Sequence, residues 1–216
     1  MRTSLLSLGA LSLGLASCGP GEPVVLPDDI QQAARLCFAA QSLVLRSGAS
    51  EGDPVTYSQY SEAIQFPLMA AAQMEPFKVE NAMGAMKDVE GAIDTVSGLD
   101  YEGAIATCEA RFGIAGKEGE PALPENEQDA LLGCLGMGSF MAGSVQEEGE
   151  SFKEKVGVYE ALNARLQAKM EKDPVILARM IKGEAEDMIN AALKSAFAEG
   201  DPEGYLEKCQ AKYPAS

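Results

Sequence analysis

The side chains here that could do chemistry are five cysteines, 33 carboxylates, ten methionines and a scatter of serines; histidine is absent. Without it the commonest general base and metal ligand is missing, and with it the usual triads and histidine-ligated zinc sites. Ser58, Ser61 and Ser139 therefore lack an activating base, and no Ser-x-x-Lys signature supplies one. Carboxylates alone can run hydrolysis through an acid pair, which keeps a carboxylate-based hydrolase as a remote alternative. The two densest groups read otherwise. Glu184, Glu186 and Asp187 read as a solvated helix face, and Glu147, Glu148 and Glu150 as an acidic turn; neither has the oxygen spacing and central glycine of an EF-hand. Met83 with Met86, and Met137 with Met141, are spaced like paired thioether ligands, but an apolar helical stripe has the same spacing, and core packing is the reading adopted. No catalytic, cofactor-binding or metal-binding residue is assigned.

The cysteines are the informative set. With Cys18 set aside, Cys37 to Cys108 spans 71 residues and Cys134 to Cys209 spans 75, with 26 between the pairs. That spacing suggests a duplication, and the flanking residues agree. Asp100, Glu102, Gly103, Cys108 and Ala110 recur 101 residues later as Asp201, Glu203, Gly204, Cys209 and Ala211, and Gln31, Ala33, Cys37 and Ser42 recur 97 later as Gln128, Ala130, Cys134 and Ser139. Between them Glu75-Pro76 matches Asp173-Pro174 at 98. The offset growing from 97 through 98 to 101 implies one small loop change and one helix or loop extension of about three residues in the second copy.

Periodicity makes each copy helical. Ile30, Ala33, Ala34, Cys37 and Phe38 fall on one helical face, and Val79, Ala82, Met83, Met86, Val89, Ile93 and Val96 continue such a stripe for about five turns. Tyr60, Ala63, Ile64 and Leu68 set a second helix, and Tyr101, Ala104, Ile105, Cys108 and Phe112 a short fourth. Glu75-Pro76, Ser97-Gly98, Asp173-Pro174 and Gly200-Asp201-Pro202 separate the helices, with proline at helix starts. Asp100 and Asp201 read as N-caps. The expected fold is all-α, two tandem homologous antiparallel four-helix units. First and last helices are neighbours in such a bundle, so the pairs should be Cys37–Cys108 and Cys134–Cys209, one bridge per unit. Closing each loop restricts the unfolded chain by about 4 kcal/mol in the entropy model. A zinc site from the four thiolates is set aside because no close Cys-x2-Cys pair occurs.

Two local features ask for compensation. Gly133, Gly136, Gly138 and Gly143 lie inside the predicted first helix of the second unit, implying either close approach of another helix or a ligand against bare backbone. Pro67 should kink the second helix, where the other unit has Arg165.

At the start, Arg2 precedes an apolar run from Leu5 to Leu15, too short to span a membrane and of the length of a signal h-region. Leu15-Ala16-Ser17-Cys18 follows directly. These four residues resemble the lipobox of bacterial lipoprotein precursors; the resemblance covers the first nineteen residues only. It implies lipidation of the Cys18 thiol and cleavage just before it, and Gly19 after the cysteine implies the outer membrane facing the periplasm. The bridges agree with such an oxidising compartment. The organisation expected is a lipoprotein signal peptide at 1–17, a lipidated cysteine and flexible tether at 18–27, unit 1 at 28–114, a Pro/Gly linker at 115–126 and unit 2 at 127–216. Losing Arg2 takes the net charge from −16 to −17, a field that repels phosphate backbones, so no nucleic-acid partner is expected. The functional expectation is a non-enzymatic lipoprotein of the bacterial cell envelope, held on the membrane through Cys18. It would act as a helical interaction or structural module beside an envelope protein partner. The alternative is a carrier or binding protein holding a small apolar molecule between its helices.

Overall fold

The computed structural model describes residues 22–48, 53–115, 119–144 and 150–215. The leader, Cys18, Glu147 and Glu148 lie outside the described residues. The fold is all-α, with helices α1 (Ile30–Ser47), α2 (Tyr57–Gln73), α3 (Val79–Met86), α4 (Val89–Val96) and α5 (Tyr101–Phe112) in the first half. The second half repeats the order with α6 (Glu127–Ser144), α7 (Glu150–Met170), α8 (Pro174–Ile181), α9 (Ala185–Ala198) and α10 (Pro202–Lys212). Disulfides join Cys37 of α1 to Cys108 of α5 and Cys134 of α6 to Cys209 of α10, each with Cα atoms 5.7 Å apart.

Among the described residues each half has five helices where periodicity predicts four, because the third is in two pieces. Asp88, at φ 57°, separates α3 from α4, and Gly183, at φ 81°, separates α8 from α9. The apolar stripe from Val79 to Val96 keeps its helical phase across the break, so its period carries no trace of one left-handed residue. The bend lets α3 pack on α1 and α2 while α4 packs along α1. Pro174 and Pro202 begin their helices as expected, whereas Pro76 does not: it follows a cis peptide, and Phe77 and Lys78 precede α3. This shifts the register between the copies. Helix starts Val79 and Pro174 are 95 residues apart, while Asp100 and Asp201 are 101 apart. The net extension is thus a shorter loop before α8 combined with an α9 of 14 residues against eight in α4.

The caps are those the sequence promises. Asp100 accepts the Gly103 N–H and Asp201 the Gly204 N–H, both at 2.9 Å. A Cβ on either glycine would sit 2.2 Å from the capping carboxylate, which accounts for the repeated Asp-x-Glu-Gly as structure. Thr56 and Gln59 form a capping box at the start of α2.

The halves share a core. Helix α2 is buried on two faces: Phe66, Met69 and Ala70 pack with Ala33, Cys37 and Phe112 of the first half, while Ile64, Leu68 and Ala71 belong to the cluster built on Leu132, Leu162 and Phe197 of the second. Pro67 is buried in α2, which runs through it from Tyr57 to Gln73. Ring pairs Phe77–Phe197 and Tyr57–Phe152 cross the seam at centroid distances of 5.7 and 5.9 Å, and Lys194 pairs with Glu75.

Residues 22–27, expected to be part of a flexible tether, lie against the bundle. Strand β1 (Glu22–Pro23) pairs in parallel with β2 (Leu99–Asp100), and Val24 is buried among Ala39, Ala40, Val96 and Ala104. Apolar Val24 and Leu26 have somewhere to go, which their prolines conceal. The described part of the linker is laid down too: Glu120 pairs with Lys208, Ala122 N–H donates to Glu199 at 3.0 Å and Leu123 packs on the core.

Candidate functional site

The residues singled out for chemistry are dispersed and engaged. Ser61 is buried and its hydroxyl accepts the Glu203 N–H at 3.2 Å; exposed Ser139 accepts from Asn163 Nδ2 at 3.3 Å. Ser58 is exposed, beside a cleft that also meets Glu62, Asp201 and Glu203. Each of those carboxylates has a partner: Gln41 donates to Glu62 at 2.7 Å, Lys155 to Glu203 at 2.7 Å, and Asp201 caps α10. Glu184 bridges to Arg179 at 3.1 Å, and Glu186 and Asp187 occupy the first turn of α9, where the positive end of the helix dipole favours them. Among the described residues no group of three His, Cys, Asp or Glu side chains could hold a metal ion.

Three carboxyls bind protons more weakly than usual. The Ile176 N–H, Gln128 and the Val175 N–H hold Asp173 down, and Lys208 holds Glu120 down. Burial works to raise Glu127, but Lys212, Tyr213 and Lys169 outweigh it. These are charged-form stabilisations at helix ends and ion pairs, the reverse of what a general acid needs at neutral pH.

The bare backbone of α6 faces protein. A Cβ on Gly133 would come within 2.5 Å of the Tyr205 hydroxyl, on Gly136 within 2.9 Å of Leu193 and on Gly138 within 2.4 Å of Asn163; Gly143 has open space. Close approach of neighbouring helices uses Gly133, Gly136 and Gly138. Met137 and Met141 are fully buried in the core, whereas Met83 is exposed and Met86 half-buried.

Two features of the described residues are not accounted for by packing. The first is the outer face of helix α8. Of its eight residues only Arg179 is polar, yet Ile176 alone is buried. Val175, Leu177, Met180 and Ile181 are 51, 39, 44 and 88 % exposed. Pro174, Leu177, Ala178 and Ile181, at helical spacing i, i+3, i+4 and i+7, form an outer face that is wholly apolar and exposed. Its counterpart α3 packs on two helices. The second is a groove of about 190 Å³ at the end of the first half. Phe38 and Leu45 of α1, Tyr60 of α2, Val89 and Ile93 of α4 and Phe152 of α7 wall it. Neither is marked by a motif. The α8 signal was present as an apolar run, Pro174 to Ile181, but a run of that length reads equally as core. The groove draws on four helices distant in sequence.

No known protein family, curated protein or solved structure matches the chain.

Proposed function

We propose that the chain is a lipid-anchored, non-enzymatic interaction module of the bacterial envelope, which fixes a helical surface beside a protein partner. The observation that carries this reading is the outer face of α8, where Ile181 is 88 % exposed and flanked by further exposed apolar side chains. Exposed apolar patches in a folded protein mark interaction sites, and a partner with a matching apolar groove would gain about 1.5–3 kcal/mol from burying Ile181 and less than half of that from each of Leu177 and Met180, which are 39 and 44 % exposed. Two bridges in a small helical chain and the lipobox at Leu15 to Cys18 support the envelope as its place. Engaged carboxylates and an absence of histidine support a binding role over a catalytic one.

The test is a photoreactive amino acid placed at Leu177 or Ile181 in growing cells. A discrete adduct seen from both positions, and absent from exposed Ala106 of α5, is the expected result. No adduct from α8 would overturn the reading. Mass measurement of the N-terminal peptide, showing an acylated Cys18, tests the anchor separately.

A further inference from the structure

The walls of the groove are mostly apolar, and its polar atoms are unequally occupied. Ser42 Oγ donates to the Phe38 carbonyl at 2.7 Å, and Gln59 Nε2 donates to the Leu45 carbonyl at 3.2 Å while its Oε1 accepts from Thr56 N–H at 2.9 Å. Arg46 lines the same groove and is exposed; its carbonyl accepts the Gly48 N–H at the end of α1, but its guanidinium makes no ion pair or hydrogen bond among the described residues. A guanidinium is the strongest carboxylate-binding group a protein offers, through its planar fork of donors. Among the described residues the other arginines, Arg35, Arg111, Arg165 and Arg179, each donate to a carbonyl or carboxylate, which leaves Arg46 as the guanidinium without a partner, and it stands beside an apolar recess.

We propose that this groove binds a small anionic amphiphile: a short hydrocarbon chain or single ring lying between Phe38, Ile93 and Phe152, with its carboxylate paired to Arg46. The size sets the class. Drug-sized ligands occupy roughly 300–1,000 Å³, and an apolar cavity of about 150 Å³ admits benzene; a groove of about 190 Å³ takes one short tail and not a whole membrane lipid. The site has no counterpart at the matching positions of the second copy. At the 97-residue offset of the first helices Arg46 becomes Gly143 and Leu45 becomes Ala142, and at the 98-residue offset of the second helices Gln59 becomes Gly157 and Tyr60 becomes Val158. The second copy thus has neither the cation nor the ring. This site is independent of α8, so either can fail while the other stands.

Sodium octanoate, below its micellar concentration and at low salt, is the probe. It is titrated into the oxidised chain from residue 18 to 216 carrying Cys18→Ser, and followed by amide shifts in nuclear magnetic resonance. Octanol is titrated in parallel as the uncharged control. The expected result is saturable binding with shifts centred on the groove. Because Arg46 is exposed, its pairing is worth no more than about 1 kcal/mol, so Arg46→Gln should weaken octanoate about three- to fivefold and leave octanol unchanged. Failure of octanoate to saturate, shifts centred elsewhere, or equal octanoate affinity in Arg46→Gln would overturn the proposal.

Discussion

The Glu203 N–H donates to the hydroxyl of Ser61 across 3.2 Å, so a buried side chain of α2 satisfies one of the free donors at the start of α10, in the other half of the molecule. Asp201 satisfies the next donor, at Gly204. The first turn of α10 is therefore held from both sides of the seam.

Ser61→Ala should cost about 1–2 kcal/mol, because it leaves an N–H at a helix start without its partner. Chemical denaturation of the oxidised protein measures it. Ser58→Ala, three residues earlier and exposed, should stay within about 0.5 kcal/mol of the parent.

The glycines of α6 should separate by what surrounds them. Gly133→Ala meets the Tyr205 hydroxyl in a fully packed site and should destabilise by about 1–3 kcal/mol. Gly143→Ala meets nothing within 4 Å and should stabilise by about 0.5–1 kcal/mol. Opposite shifts in melting temperature are the outcome to look for; equal shifts would mean the helix is packed differently.

Replacing both cysteines of either bridge by serine should remove about 2–5 kcal/mol. Because α2 belongs to both cores, loss of the Cys134–Cys209 bridge should lower a single unfolding transition rather than split it in two. Calorimetry distinguishes these outcomes.

Acid should weaken the junction of α6, α7 and α8. The Asp173 carboxyl accepts the Val175 and Ile176 N–H groups at 2.8 and 3.0 Å and Gln128 Nε2 at 3.0 Å, which hold it below the ordinary aspartate range. A group depressed on folding contributes stability above its unfolded pKa, near 4, and loses it as pH falls through the folded value. Unfolding measured at pH 6 and pH 3 should show that loss, and Asp173→Asn should reduce the difference.

Ile181→Asp should leave stability within about 0.5 kcal/mol, since the side chain is 88 % exposed, yet abolish adducts formed from Leu177 in cells. Retained adducts would separate the partner from the apolar face.

What the sequence discloses is what repeats. The bridge connectivity, the caps at Asp100 and Asp201 and the helical character all follow from intervals between like residues. The break at Asp88 is hidden because both sides of it share one apolar phase, and Val24 is hidden because prolines around it advertise a loose segment. The second buried face of α2 is disguised by composition: Ala63, Ala70, Ala71 and Ala72 are as compatible with one packed face as with two. Arg46 carries no local signature at all, since its meaning lies in Phe38, Ile93 and Phe152, which only the packing brings beside it. The glycines of α6 leave open in sequence whether a helix or a ligand lies against them; Tyr205, Leu193 and Asn163 supply the answer at Gly133, Gly136 and Gly138.

The doubly buried α2 bears on what a protease could achieve. A cut between Gly119 and Ala122 would sever the chain without parting the halves, since α2, on the first fragment, stays packed in the core of the second. Two fragments, each with its own sulfur loop, would elute as one species and come apart only in denaturant.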